Sequence, residues 1–283
     1  MSNQASEIKR ATGLIIIEVI NSNPNGDPDR ESDPRQRHDE RGEISPVSFK
    51  RKLRDLVENK EGPVWKDIAT KFSLKPEEFG ILESRVAKLQ DIRSLKEEDF
   101  KNKFWDGRIF GNTELEKGRN IPVRTGVVQF GLGVSIAPVR IERLTTTNPP
   151  VEGDKAVGMA PLAYRIVQHG VYAMPFFVNP TAAQKSGCTD QDIKLMLSLI
   201  PYAYSHNPSY IRPFVGIRHA WYMEHQSALG SCSDFKLIEA LTPTWKSKEG
   251  DKYSNSWAEY SEPVLPEELQ KKIMPLKDLM EQL

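Results

Sequence analysis

The chain has 283 residues, 38% of them apolar, and its 39 basic side chains balance 39 acidic ones. That supplies a core for one large domain or two small ones, while no apolar run approaches the roughly 20 residues that span a bilayer. Cys188 and Cys232 are too few for a disulfide framework and read as free thiols of a cytoplasmic protein, whose polar start, Met1 to Arg10, resembles neither a secretory signal nor a transit peptide.

Gly13 to Ile20 is apolar and rich in β-branched residues and reads as a buried or half-buried strand. It empties into Asn21-Ser22-Asn23-Pro24-Asn25-Gly26-Asp27-Pro28-Asp29, a turn followed by a polar loop to Glu43. Three readings of that turn stand side by side. It is a corner chosen for its geometry; Asn25 and Gly26 offer backbone N–H groups to a phosphate or a neighbouring subunit; or its oxygens begin a divalent-metal loop, against which the absence of a distal glutamate at calcium-loop spacing counts.

Ser45-Pro46 predicts a helix start, because a serine oxygen caps free amides and proline at the first helical position loses no useful donor. Phe49, Leu53, Leu56 and Val57 then share one face. The same helix carries Lys50, Arg51, Lys52 and Arg54, with Lys60 just beyond it, against only Asp55 and Glu58. A solvated outer face explains some of these charges. Like charges at Lys50 and Arg54, four residues apart, repel weakly, and a bound polyanion offsets that repulsion. A neutral chain with segregated charge therefore remains compatible with nucleic acid.

Residues 60–104 read as a mainly helical insertion. From Asn120 to Thr147 the chain is β-rich, its Gly126, Gly131 and Gly133 marking bends or close backbone approach. Residues 144–162 form a projecting loop, and Tyr164 to Val178 returns as a strand. Thr189 and Asp192 predict a capping box for a helix with Ile193, Met196, Leu197 and Ile200 on one face. Val215 to Met223 and Phe235 to Leu241 are the last strand candidates. The order strand, helix, strands, helix, strand predicts an α+β sandwich with helices on one face of an antiparallel sheet.

Catalytic patterns are scarce. His38, His169, His206, His219 and His225 have no metal spacing and no accompanying nucleophile motif, and no phosphate-cradling Gly-Lys-Ser/Thr loop is present. Asp27, Asp33 and Asp39 would suit a metal nuclease, yet nothing in the sequence brings them together. Met159, Tyr164, Tyr172 and Met174 are either core or wedges against bases.

Three features together, the strand, Asn23 to Asp29 and Phe49-Lys50-Arg51-Lys52-Leu53-Arg54-Asp55, resemble the Cas-seven backbone subunit of type I CRISPR Cascade, most closely its I-B and I-C branches. Asp106 to Gly111, Val123 to Phe130 and Ile217 to His225 add echoes in the expected order. The resemblance implies a single RAMP-type domain over 1–283, a ferredoxin-like (RNA-recognition-motif-like) palm with a helical finger insertion at about 60–118 and a thumb-like loop at about 144–168. It implies guide-RNA contacts by Asn25, Gly26, Lys50, Arg51, Lys52, Arg54, Arg108, Arg124, Gln129, Met159 and Met174. It further implies oligomerisation along the guide, pairing of the guide with target DNA, other Cascade subunits as partners, and no catalysis, metal or cofactor. An RNA endonuclease of the same superfamily, or a scaffold that touches no nucleic acid, is the alternative.

Overall fold

The strand that opens the fold, β1 (Ala11–Ser22), is buried on both sides, which is why its sequence is apolar almost without alternation. Ile15, Ile17 and Val19 enter one core with Phe49, Leu53 and Val57, whereas Leu14 and Ile16 enter a second core with Trp221, Met223, Leu237 and Leu241. A computed structural model describes residues 8–84, 96–112, 124–147, 161–207 and 209–282.

After β1 come β2 (Gly26–Asp27) and β3 (Asp33–Pro34), paired with each other, and β4 (Arg41–Ile44). Helix α1 (Pro46–Glu58) begins where the sequence predicts, with Ser45 Oγ accepting the Ser48 N–H at 3.2 Å. The insertion contributes α2 (Pro63–Phe72), α3 (Glu97–Lys103) and α4 (Trp105–Phe110). The β-rich region divides into β5 (Gly111–Asn112) paired with β6 (Arg124–Thr125), then β7 (Val128–Phe130), β8 (Gly133–Pro138) and β9 (Ile141–Thr147). The long β10 (Pro161–Val178) leads through α5 (Ala183–Ser186) to α6 (Asp190–Leu199). The Thr189–Asp192 capping box is present in both directions. Strand β11 (Val215–Glu224), α7 (Asp234–Leu241), α8 (Glu267–Gln270) and β12 (Lys277–Asp278) complete the described chain.

The main sheet is 8-stranded and runs β12-β11-β1-β10-β8-β4, with β7 and β9 also on β10, and its pairings are antiparallel. Helices α1, α2 and α6 pack on one face. The other face is covered too: Leu237 and Leu241 of α7, with Tyr260, Leu265, Leu269 and Ile273, close the second core. Phe235 to Leu241, expected as a strand, is therefore helix. Leu237 and Leu241, four residues apart, are buried on one side while Phe235 is exposed, a helical rather than a two-residue period. Cys188 and Cys232 are free thiols, and no described helix is long and apolar enough to cross a membrane.

Candidate nucleic-acid interface

The turn at 23–27 governs the direction of α1. Asn25 is buried, its Oδ1 accepts the Ser45 N–H at 2.7 Å and its Nδ2 donates to the Gly26 carbonyl at 2.9 Å. A side chain at Gly26 would place its Cβ 2.9 Å from the Ser32 carbonyl oxygen, so the close approach of β2 and β3 requires glycine. Asp27 accepts the Asp29 N–H at 3.2 Å and lies 3.9 Å from Arg35. The turn oxygens thus hold the corner together and fix where the basic helix begins.

On α1 the cations divide into two kinds. Arg51 is neutralised within the protein, its Nε on Asp55 at 2.8 Å, one Nη on Glu58 at 3.2 Å and the other on the Glu83 carbonyl. Arg54 is buried: its Nε donates to Asp106 at 2.9 Å and an Nη reaches Glu83 at 3.0 Å. Lys50 and Lys52 have no carboxylate within ion-pair distance among the described residues. Each instead lies over an aromatic ring, Lys50 Nζ 5.1 Å from the centre of Phe110 and Lys52 Nζ 4.8 Å from that of Tyr204. Burial, and then the Arg54 charge, pulls the Lys50 ammonium below its ordinary value. Burial together with the like charge of Arg212 brings Lys52 down to about 8.

The remaining predicted positions scatter. Arg108 is buried and its guanidinium is fully engaged, by Asp192 at 2.7 Å and by the carbonyls of Glu78, Lys101 and Asn102. Met174 is a core side chain facing α1 rather than a wedge at the surface. Unlike Lys52, Arg54 and Arg108 have their charges neutralised by buried carboxylates, and Met174 lies among apolar core side chains. Gln129 is exposed on β7 and donates to the Gly126 carbonyl at 3.2 Å. At Gly126 itself a Cβ would lie 2.1 Å from the Phe110 carbonyl carbon, so this glycine lets the β6–β7 segment lie against the end of α4. Arg124 is placed on β6 opposite Asn112. Met159 lies outside the described residues, as do 148–160 of the expected thumb and 85–95 and 113–118 of the expected insertion.

One segment that no sequence motif marks is Tyr210-Ile211-Arg212-Pro213-Phe214. It lies along the end of β1, with the Asn23 N–H donating to the Ile211 carbonyl at 2.7 Å and Ile20 N–H to the Phe214 carbonyl at 2.9 Å. Arg212 Nε donates to the Asn23 carbonyl at 2.8 Å, while Tyr210 and Phe214 are 68% and 66% exposed. Its one signal in the sequence is the alternation of aromatic and basic residues. Beside it a cavity of about 250 Å³ is lined by Asn23, Asp33, Arg143, Tyr164, Arg165 and Ile211.

Asp33, Asp39 and three of the histidines are engaged within the fold. Asp33 pairs with Arg165, and Asp39 accepts the Arg41 N–H at 3.2 Å. His169 bridges Glu18 at 3.2 Å and Ser254 at 2.9 Å, and His219 holds Asp278 at 2.7 Å, so both tie the C-terminal residues to the sheet. Buried His225 meets Asp234 at 3.0 Å, and its other ring nitrogen accepts the Ser231 N–H at 3.1 Å; the Ser231 hydroxyl is turned to the Lys272 carbonyl. Among the described residues no group of His, Cys, Asp or Glu side chains is arranged to hold a metal ion.

The family model for CRISPR-associated protein Cas7 matches residues 9–264. No curated protein matches the chain. Among solved structures, a chain described as "CRISPR RNA-guided surveillance complex, pre-nicking" is similar in fold, with a TM-score of 0.50 and 14% identity over 76% of this chain and 78% of that one. Another, described as "CRISPR RNA-guided surveillance complex", is similar with a TM-score of 0.40 and 14% identity over 75% and 69% of the respective chains.

Proposed function

This chain belongs to the Cas7 family of CRISPR-associated proteins, and from that premise we propose that it is the guide-RNA-binding backbone subunit of a Cascade-type complex. The observation that carries the reading is the state of α1: Lys50 and Lys52 are left without carboxylate partners while Arg51 and Arg54 beside them are neutralised. Cations buried to the point of a lowered pKa and left unpaired are costly in the free protein, and a polyanion offsets that cost. Such phosphate contacts hold a strand without reading its sequence, which leaves the guide's bases to pair with target DNA.

The finer assignments follow the same line. The strand order β11-β1-β10-β8, with α1 after the first strand and α6 before the last, supports a ferredoxin-like palm within a single RAMP-type domain over 1–283. The helices between 63 and 110 support a finger insertion at about 60–118. Strands β9 and β10, paired from Ile141 with Val167 to Thr147 with Pro161, make an arm that supports a thumb at about 144–168. The Asn-Pro-Asn-Gly-Asp-Pro turn ahead of a Lys-Arg-Lys helix favours the I-B and I-C branches. Lys50, Lys52, Arg124 and Gln129 touch the guide, with Met159 on the thumb. Asn25, Gly26, Arg51, Arg54, Arg108 and Met174 shape the surface from within. Copies of the chain stack along the RNA in the cytoplasm, beside other Cascade subunits, and the chain itself does not cut. The structural engagement of Asp33 and Asp39 supports that last point.

Fluorescence anisotropy of a labelled single-stranded RNA across a salt series tests the proposal. Binding weakens steeply with salt, and Lys50→Ala with Lys52→Ala flattens the slope by about 0.7 for each phosphate that the protein no longer neutralises. An RNA affinity that ignores salt, or cleavage of the RNA in magnesium, overturns it.

A further inference from the structure

We propose that Lys52, Tyr204 and Arg212 together form a seat for one phosphate group of the bound RNA strand, an inference that rests on the RNA-binding reading above and gives it a specific subsite. The argument begins with what these side chains lack. Lys52 and Tyr204 are 6% and 7% exposed; the buried Tyr204 hydroxyl has no hydrogen-bond partner among the described residues, and the Lys52 ammonium, 4.8 Å from the centre of the Tyr204 ring, has no ion-pair partner among them. Buried polar groups are ordinarily satisfied, so an unpaired Tyr204 hydroxyl beside a cation without a carboxylate points to a ligand. The third member, Arg212, anchors one nitrogen on the Asn23 carbonyl and has no carboxylate partner among the described residues.

The Arg212 charge acts on both Lys52 and Tyr204, and the acid that acts on Lys52 is Asp55, one turn further along α1. A carboxylate between Lys52 and Arg212 would complete an ordinary buried ion pair, but the described residues provide none. A phosphate oxygen there would neutralise both cations and give the Tyr204 hydroxyl an acceptor. The residues come from three places, α1, the turn after α6 and the segment beside β1. The Asn207 side chain joins the first two: its Nδ2 donates to the Lys52 carbonyl at 3.1 Å and to the Ala203 carbonyl at 3.0 Å, while Arg212 is anchored on the Asn23 carbonyl at 2.8 Å.

The surroundings favour a nucleotide over a bare anion. Tyr210 and Phe214 flank Arg212 with their rings exposed, so a phosphate held by Arg212 has apolar ring surface on either side for a ribose or base. Tyr164 meets Tyr210 edge to face at 5.6 Å, which continues that surface toward the β9–β10 arm.

The test has two arms. In the first, single-stranded RNA is titrated against the wild type, Lys52→Gln, Arg212→Gln, Tyr204→Phe and, as a control, the exposed Lys236→Gln. The expected losses are roughly tenfold for each cation variant and roughly threefold to tenfold for Tyr204→Phe, with the control unchanged. Tyr204→Phe keeps the ring that packs on Phe49 and under Lys52, so its fold survives, which a thermal melt verifies. If the wild type binds RNA and all three variants bind equally well, the seat is wrong and the RNA-binding reading stands. The second arm needs no RNA: amine acylation is followed by mass spectrometry in inorganic phosphate and in chloride at equal ionic strength. Phosphate slows modification of Lys52 relative to Lys236 if the seat exists; equal rates overturn it. Protection by phosphate in a protein that binds no RNA would sustain the seat and overturn the function proposed above.

Discussion

Arg54 and Asp106 meet at 2.9 Å with both side chains withdrawn from water, so a cation of the basic helix is joined to the insertion rather than to the surface. Asp106 also accepts the N–H groups of Leu82 at 2.6 Å and Glu83 at 3.2 Å, which makes it the point where α1, α4 and the 81–84 turn are fixed to one another. Breaking one half of such a pair leaves an uncompensated buried charge. Arg54→Met or Asp106→Asn therefore lowers unfolding stability by about 3–5 kcal/mol in chemical denaturation. Replacing both with apolar residues recovers much of that stability. Single variants as stable as the wild type would mean that the pair is solvated.

Asp192 serves two structures at once. It closes the capping box of α6 by accepting the Thr189 N–H at 2.8 Å and holds Arg108 at 2.7 Å. Thr189→Ala removes only the cap and costs about 1 kcal/mol, whereas Asp192→Ala also strands the Arg108 guanidinium and costs about 3–5 kcal/mol. Equal destabilisation in the two variants would show that the Arg108 pair contributes nothing.

What the sequence disclosed follows a physical line. Strand β1, the Ser45-Pro46 start of α1 and the Thr189–Asp192 box depend on local pattern, and each sits where that pattern puts it. That β1, β10 and β11 are strands is legible for the same reason, since each is long and rich in apolar residues. The fate of individual cations is not local. Whether Arg54 points to solvent depends on Asp106, 52 residues away in sequence, and Arg108 depends on Asp192, 84 residues away. Phe235 to Leu241 misled because a short run of mixed apolarity fits either period, and only the second core, built from residues as distant as Ile273, decides for helix. Arg212 is not legible because it lies between Ile211 and Pro213 with no basic residue nearby in sequence, while Lys52, on which its charge acts, lies in α1.

On the proposed function, Asn25 orients the binding surface without touching it. Its Oδ1 holds the Ser45 N–H at 2.7 Å, beside the first turn of α1. Asn25→Ala frees a buried amide and lowers stability by about 1–3 kcal/mol. RNA affinity falls with it through misplacement of Lys50 and Lys52, but the slope of affinity against salt is unchanged because every phosphate-facing cation is still present. Lys50→Ala does the reverse, flattening the slope with little effect on stability. A flattened slope in Asn25→Ala would instead place its side chain on the RNA.

Lys52 gives the protein a pH dependence of opposite sign in its free and bound states. Burial and the Arg212 charge bring its ammonium from an ordinary 10.5 to about 8, with Asp55 opposing weakly and Tyr204 held neutral by its own burial. The unfolded chain keeps that proton up to about 10.5, so between about 8 and 10.5 it binds more protons than the folded one. This group's contribution to stability therefore rises with pH across that window in the free protein. Phosphate binding needs the charged form, and so RNA affinity falls as pH rises through about 8. Lys52→Gln removes this group's share of both trends: its RNA binding is weaker at neutral pH and falls less steeply into the alkaline range, where the lowered Lys50 ammonium still titrates. Titrating RNA into the wild type and the variant at neutral and mildly alkaline pH, alongside denaturation of the free proteins, checks both signs. A wild-type affinity with the same pH dependence as that of Lys52→Gln would mean that the ammonium carries no part of the phosphate contact.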